Sequence, residues 1–201
     1  MTCIIAHTNG KSSFIAGDKL GSNGFTKSVQ TESKVFEKEF IKINDDAGLT
    51  RTKEIMAIGY TTSFRMGQLL TYSLNLPLQD ANETFPQYLV LKVIPIIRTM
   101  FKDEWGYRDA SQDVGGGQFI ILHNHIIYEV QEDFAVLQPK TQITAVGSGT
   151  YHAIAAMEAY IEVQDETKVE LHNRVKSIFK IVSDNVTSVS SEFDILKYWI
   201  K

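Results

Sequence analysis

The sequence predicts an α+β fold in which strands and helices come in blocks. Strand-like segments fill the first sixty residues, two helical segments follow, and the same order repeats after residue 118. Strand runs followed by helix runs argue separate layers, not the strict alternation of a doubly wound sheet. Each strand block also carries too many apolar positions for a sheet with one wet face. Two sheets stacked on each other with helices outside both would bury them, which predicts a four-layer αββα sandwich. The chain has 201 residues, a length that suggests a single domain over 1–201. Such a chain buries roughly 70% of its unfolded surface, enough for a core without staples.

The elements follow in order. Cys3 to Thr8 reads as a strand, Asn9-Gly10 as a hairpin turn and Ser12 to Ala16 as the return strand, closed by Gly17-Asp18. Ile4, Ile5, Phe14 and Ile15 supply buried side chains. Gly21-Ser22-Asn23-Gly24 marks another turn. Lys34 to Ile43 and Glu54 to Tyr60 form a second strand pair around the turn at 44–48. Ser63 can cap a helix through Met66, Leu69, Leu70 and Tyr72, stopped by Asn75-Leu76-Pro77. Thr84 caps a second helix with Pro86 in its first turn, and Pro95 inside it predicts a kink or break. The polar, glycine-rich stretch from Asp103 to Gly117 predicts a loop. Phe119 to Leu122 and Ile126 to Val130 flank a tight turn at His123-Asn124-His125, and Thr144 to Val146 is a short strand. Tyr151 to Tyr160 and Lys168 to Val182 read as helices, Val186 to Ser190 as a strand, and Phe193 to Trp199 as an apolar tail.

Composition removes several function classes. The net charge is −4, whereas a dedicated nucleic-acid binder needs a basic face to neutralise phosphates. Hydrophobic residues make up 43% and charged residues 22%, ordinary globular usage that excludes disorder as the main state. The single cysteine, Cys3, cannot form an internal disulfide, so nothing indicates an oxidising compartment. The apolar run near the start, Cys3 to Ala6, is shorter than the about 7–15 residues of a secretory core. No stretch approaches the ~18 apolar residues of a membrane span. The expectation is a cytoplasmic protein with no membrane or nucleic-acid partner.

His123-Asn124-His125 invites a metal reading, but zinc needs three or four ligands and no further cluster lies nearby. Gly115-Gly116-Gly117 precedes a strand and lacks the Lys-Ser/Thr of a phosphate loop. Four other short signals remain: Thr2 behind Met1, Gly17-Asp18, Ser33-Lys34 and Gly147-Ser148-Gly149. Each alone reads blandly, as a turn, a solvated lysine or a flexible corner.

Together, in this order and spacing, they resemble the proteasome β-type family of N-terminal nucleophile hydrolases, most closely its HslV-type bacterial peptidases. The matching stretches are Thr2-Cys3-Ile4-Ile5, Asn9-Gly10, Ile15-Ala16-Gly17-Asp18 and Lys34, sixteen residues after Asp18. Val146-Gly147-Ser148-Gly149-Thr150 before an alanine-rich helix resembles the family's Ile-Gly-Ser-Gly-Gly. The family's Gly-Gly after the strand ending Gly59-Tyr60 reads Thr62-Ser63 here, residues 37–53 form a longer hairpin, and Cys3 stands where the family has a hydroxyl residue. Cys3 is expected to be a small buried hydrophobe.

The resemblance implies a threonine peptidase. Removal of Met1 would leave Thr2 to supply both the nucleophilic hydroxyl and, through its α-amine, the base. Such an amine titrates near ~7.7–8.0, within reach of physiological pH. Lys34 would favour the developing alkoxide, Asp18 would pair with Lys34, and Ser148 would hydrogen-bond the α-amine. Thr61, Thr62 and Ser22 would form the oxyanion and substrate-binding surface. A β-branched residue at position 62 is disfavoured if the local φ is positive. No cofactor is implied for the chemistry. The resemblance also implies a structural monovalent cation on the carbonyls of Asp184, Thr187 and Ser190. The implied partners are identical subunits in stacked rings, an AAA+ ATPase unfoldase and unfolded polypeptide substrate. The other reading is a non-catalytic proteasome-like subunit that builds a shell or interaction surface, favoured by Thr62-Ser63.

Overall fold

The computed structural model describes residues 2–22, 25–45, 47–106, 115–159 and 168–200. Its strands are β1 (Cys3–Thr8), β2 (Ser12–Asp18), β3 (Leu20–Ser22), β4 (Lys27–Val29), β5 (Val35–Ile43), β6 (Arg51–Tyr60), β7 (Phe119–His123), β8 (Ile126–Val130), β9 (Val136–Leu137), β10 (Ile143–Gly147) and β11 (Phe193–Trp199). Its α-helical segments are α1 (Phe64–Gln68), α2 (Phe85–Tyr88), α3 (Ile94–Met100), α4 (Thr150–Glu158) and α5 (Lys168–Asn185). One sheet runs β10-β1-β2-β11, a second runs β5-β6-β7-β8-β9, and β3-β4 form a small ribbon. All the strand pairs are antiparallel.

Successive side chains on a strand point to opposite faces, and here both faces are apolar. In β1, Cys3 and Ile5 enter a cluster with Ala153 and Ala156 of α4 and Val175 and Phe179 of α5. Ile4 and Ala6 point the other way, into a cluster with Ala57, Ile120 and Leu122 of the second sheet. The second sheet repeats the arrangement. Met56, Ile58, Phe119 and Ile121 pack with Met66, Leu69, Leu89, Val93 and Ile97 of the first helical block. A methyl group on Gly59 would lie 2.6 Å from Cγ2 of Ile4 and 2.9 Å from Cδ1 of Ile15. A side chain there would therefore force the sheets apart.

The caps read from the sequence are present. Ser63 accepts from the N–H of Arg65, and Thr84 forms a reciprocal capping box with Gln87. From Phe85 to Trp105 the chain stays helical, with π-helical turns at Leu89–Val93 and Phe101–Trp105 alternating with α2 and α3. Pro95 sits in the first turn of α3, directly after a π-helical turn. Its missing N–H is thus met by a change of helical pitch.

Several expectations are corrected. The predicted loop from Asp103 begins later, because the helix runs to Trp105 and ends on Gly106 at φ +65°; its 107–114 part lies outside the described residues. Asp18 does not close a hairpin: β2 continues through it because β11 pairs along the full length, Phe193 opposite Asp18. The tail from Phe193 to Trp199 is therefore a strand. Val186 to Ser190 is a turn, with the Val189 N–H on the Val186 carbonyl. The turn expected at Gly21-Ser22-Asn23-Gly24 instead holds β3 through Ser22, and Asn23 and Gly24 lie outside the described residues. The end of the predicted helix at Tyr160 does too. Among the described residues no helix is long and apolar enough to cross a membrane.

His7 near the end of β1 generates a stability prediction. It is 8% exposed, lies beside Phe14 at 5.7 Å between ring centres, and its Nε2 has no hydrogen-bond partner among the described residues. Burial first, and the Arg174 charge second, lower its pKa from 6.5 to about 4. The unfolded chain therefore binds a proton in that window that the folded chain does not, so stability falls as pH drops from 6.5 towards 4. The shift corresponds to about 3 kcal/mol. Urea denaturation at neutral pH and near pH 4 should show His7→Leu losing less stability on acidification than the native chain by about that amount. Equal losses would refute the assignment.

Candidate active site

The residue before β1, the end of β2 and the residue before β5 bring together three polar side chains that water barely reaches. Thr2 is 4% exposed, Asp18 0% and Lys34 2%. Asp18 arrives opposite the start of β1 because Ile4 pairs with Gly17. Its Oδ1 accepts from the Cys3 N–H at 2.9 Å, and its Oδ2 from the N–H groups of Leu20 at 2.9 Å and Ser190 at 3.2 Å. Lys34 immediately precedes β5. A methyl group on Gly17 would lie 2.7 Å from Cδ1 of Ile4 and 3.3 Å from Cβ of Lys34, so the bare backbone of Gly17 gives Lys34 room to approach β2. The Lys34 Nζ then lies 3.0 Å from Asp18 Oδ1, 2.8 Å from the Leu20 carbonyl oxygen and 2.7 Å from Thr2 Oγ1.

An ammonium has three N–H donors and no acceptor. The carboxylate and the carbonyl can only accept, so they take two of them. The third is aimed at the Thr2 hydroxyl oxygen. Burial lowers the pKa of Lys34 from its ordinary value, and the Asp18 charge and hydrogen bond oppose that fall. The Cys3 thiol makes no hydrogen bond to this network among the described residues. Its pKa is raised by burial and then by Asp18, and the thiol packs against Gly149 in the cluster under α4.

Thr2 is also held through its main chain. Gly147, at φ +99°, ends β10 opposite Cys3. A side chain on Gly147 would collide with the Thr2 carbonyl oxygen, besides being strained at that φ. That oxygen accepts from Ser148 Oγ at 3.3 Å and from the Gly149 N–H at 3.4 Å. The Ser148 hydroxyl reaches this carbonyl because the turn after β10 brings it alongside the peptide that follows the Thr2 side chain; its bond to the α-amine, implied by the resemblance, concerns the chain freed of Met1. Ser148 Oγ also lies 2.8 Å from Ser188 Oγ. Ser188, buried at 5% exposure, was missed by sequence reasoning. It stands among Ser183, Ser190 and Ser191 with nothing local to single it out. Ser190 also proves to brace the site: its N–H serves Asp18, and its hydroxyl accepts from Lys19 N–H and donates to the Glu192 carbonyl. Of the other two expected cation carbonyls, Asp184 lies near the end of α5 with its carboxylate on Lys180, and Thr187 lies in the turn beyond.

Opposite Thr2 stands the turn that leaves β6. Thr62 has φ +65°, the left-handed region that a β-branched residue rarely adopts. The strain is held from several sides. Thr62 Oγ1 accepts from the Gln118 N–H at 3.3 Å and lies 3.1 Å from Thr61 Oγ1. Thr61 Oγ1 and N–H both bond the Gln118 carbonyl, and Ser63 N–H closes on the Thr61 carbonyl at 2.7 Å. The Thr62 N–H itself donates to none of the described residues. Between this turn and Thr2 is a cavity of about 50 Å³ walled by Thr2, Lys34, Ser22, Tyr60, Thr62 and Phe64. The predicted residues Thr2, Asp18, Lys34, Ser22, Thr61 and Thr62 thus come together around one small cleft.

No protein-family model matches the sequence, and no curated protein sequence matches it. Solved structures do. Eukaryotic HslV from Trypanosoma brucei superposes with a TM-score of 0.64 at 19% identity, over 98% of this chain and 99% of that one. BPH from Thiobacillus denitrificans gives a TM-score of 0.72 at 14% identity, over 100% of this chain and 99% of that one. Anbu from Pseudomonas aeruginosa, in a structure described as the helical assembly of the Anbu complex, gives 0.69 at 13% identity, over 98% and 81%. The chain has the proteasome-like N-terminal nucleophile hydrolase fold.

The Lys34–Asp18 pair can be tested without any substrate. Lys34→Met leaves the fully buried Asp18 carboxylate without its cation, which should cost about 3–5 kcal/mol. Adding Asp18→Asn should restore a substantial part of that, since an apolar and a neutral side chain no longer leave a buried charge uncompensated. Urea midpoints of native, single and double variants give the answer. A single variant as stable as the native chain, or a double variant no better than the single, contradicts the pairing.

Proposed function

We propose that the chain is a threonine peptidase that cleaves peptide bonds through an acyl ester on Thr2. The observation that carries this is the Lys34 Nζ at 2.7 Å from Thr2 Oγ1, with its other two hydrogens committed to Asp18 and Leu20. Removal of Met1 converts an amide nitrogen, whose lone pair is delocalised, into an amine that can accept a proton.

In this reading Thr2 Oγ1 attacks the substrate carbonyl carbon and its proton passes to the α-amine. The Lys34 charge favours the oxygen as it becomes anionic. The oxyanion that forms on the substrate accepts from the Thr62 N–H, which donates to none of the described residues. The over-determined turn at Thr62 serves this purpose, since strain at a site persists only where surrounding contacts enforce it. The intermediate collapses as the carbon–nitrogen bond breaks, and the leaving amine takes the proton. Water, deprotonated by the α-amine, then attacks the ester; the carbon–oxygen bond breaks and the Thr2 hydroxyl is restored. Ser148 and Ser188 fix the Thr2 carbonyl and so the direction of the amine and hydroxyl.

The three apolar clusters support reading the layers as an αββα sandwich in one domain. The carbonyl oxygens of Asp184, Thr187 and Ser190 accept no hydrogen bond from the described residues, which leaves their lone pairs to a monovalent cation. Such an ion would brace the segment carrying Ser188 and Ser190. The likeness to Anbu, seen as a helical assembly, supports assembly of identical subunits; their arrangement in stacked rings, served by an AAA+ unfoldase that delivers unfolded polypeptide, completes the proposal.

Thr2→Ala should still unfold cooperatively while its turnover of a fluorogenic peptide falls to background; full turnover in that variant overturns the proposal. Native kcat/KM should rise with pH through the range of an α-amine, about 7.7–8.0.

A further inference from the structure

We infer that Gly117 and Gln118 are positioning residues for the proposed reaction: they seat the Thr62 side chain and so aim the Thr62 N–H. This rests on the threonine-nucleophile reading above. Tyr60 pairs with Phe119 where β6 meets β7, so the residues beyond that pair, Thr61 and Gln118, still face each other. The Gln118 carbonyl accepts from the Thr61 N–H at 3.1 Å and from the Thr61 hydroxyl at 2.8 Å. A carbonyl can only accept, and a hydroxyl has one hydrogen. In the 3.1 Å contact between the two threonine hydroxyls, Thr62 is therefore the donor. Thr62 Oγ1 in turn accepts from the Gln118 N–H at 3.3 Å. The Thr62 hydroxyl thus works in both senses, and both bonds lead to Gln118.

Gly117 makes the room. It sits at φ +63°, and a methyl group on it would lie 2.9 Å from Thr62 Oγ1, 3.1 Å from Thr62 Cβ and 2.6 Å from Met66 Sδ. The missing side chain at 117 therefore admits the side chain at 62. The glycine run is fixed from behind. The Gly116 N–H bonds the Glu132 carbonyl at 2.8 Å, and a methyl group on Gly116 would lie 2.8 Å from Cε1 of Phe134. Gly115-Gly116-Gly117, which lacks the marks of a phosphate loop, finds its use here. A threonine left to itself would depart from φ +65°. Rotation about the N–Cα bond of Thr62 changes the angle between its side chain and the peptide plane that carries its N–H. Gln118 holds the side chain on one side of that bond, and the Thr61 bonds hold the peptide on the other.

Turnover of a fluorogenic peptide, and its inhibition by a peptide aldehyde and the matched alcohol, test this. Thr2 Oγ1 bonds to the aldehyde carbon, its proton passes to the α-amine, and the aldehyde oxygen takes the oxyanion's place at the Thr62 N–H; the alcohol forms no adduct. Thr62→Val keeps the shape and removes the hydroxyl. It should lower kcat about 10–100-fold with KM little changed, and weaken the aldehyde by a similar factor while the alcohol inhibits as before. Thr62→Ser, which keeps the hydroxyl, should recover most of both losses. Gly117→Ala should lower kcat when Thr62 is present and far less when added to Thr62→Gly, where its methyl group meets no side chain at 62. If Gly117→Ala does not fold, the Thr62 variants decide alone. Thr62→Val as active as the native protein, Thr62→Ser as poor as Thr62→Val, or aldehyde and alcohol weakened alike overturns the seat and leaves the nucleophile standing. A Gly117→Ala loss undiminished in Thr62→Gly does the same. A native protein that turns over no peptide overturns the nucleophile reading, and the seat with it.

Discussion

A lysine ammonium removed from water is the constraint around which this molecule is arranged. Burial alone would drive Lys34 towards its neutral form. The fold answers with a carboxylate at 3.0 Å and a carbonyl at 2.8 Å. It then braces the carboxylate with N–H groups from Cys3, Leu20 and Ser190. These come from β1, from the start of β3 and from the segment before β11, so one ion pair gathers distant parts of the chain. A buried pair of this kind adds little net stability over an apolar one. What it provides is a fixed direction: the last N–H of Lys34 points at Thr2.

The backbone around Thr2 shows the same economy of position. Gly147 at φ +99° and Thr62 at φ +65° flank the cleft, one where a side chain would collide with the Thr2 carbonyl, the other where a threonine is held against its own preference. Gly147 is the residue its conformation demands. Thr62 is not, and the bonds through Gln118 and Thr61 show what keeps it there. The Thr62 N–H, which donates to none of the described residues, is the feature on which the proposed oxyanion role rests.

Much of this was legible in the sequence, unevenly. Strands such as Cys3–Thr8 and Phe119–His123 announced themselves through continuous apolar runs, and the Ser63 and Thr84 caps through local chemistry. The cluster of Thr2, Asp18 and Lys34 was implied by the resemblance that their order and spacing carry. What failed depended on partners far along the chain. Phe193–Trp199 looked like a tail because its strand character comes from pairing with β2. Asp18 looked like a turn for the same reason. Ser188 was not seen, because a hydroxyl's partner is set by tertiary geometry that composition and periodicity do not encode. Helix past Asp103 escaped notice because polar residues there hide the π-helical turn that carries it to Gly106.

The most direct test is a crystal structure of the chain freed of Met1 and treated with a peptide β-lactone. The account predicts density continuous from Thr2 Oγ1 to the acyl carbon, the acyl oxygen on the Thr62 N–H, and Lys34 Nζ still within hydrogen-bonding distance of both Thr2 Oγ1 and Asp18. An adduct on another residue, or a Lys34 side chain turned away into solvent, would contradict it.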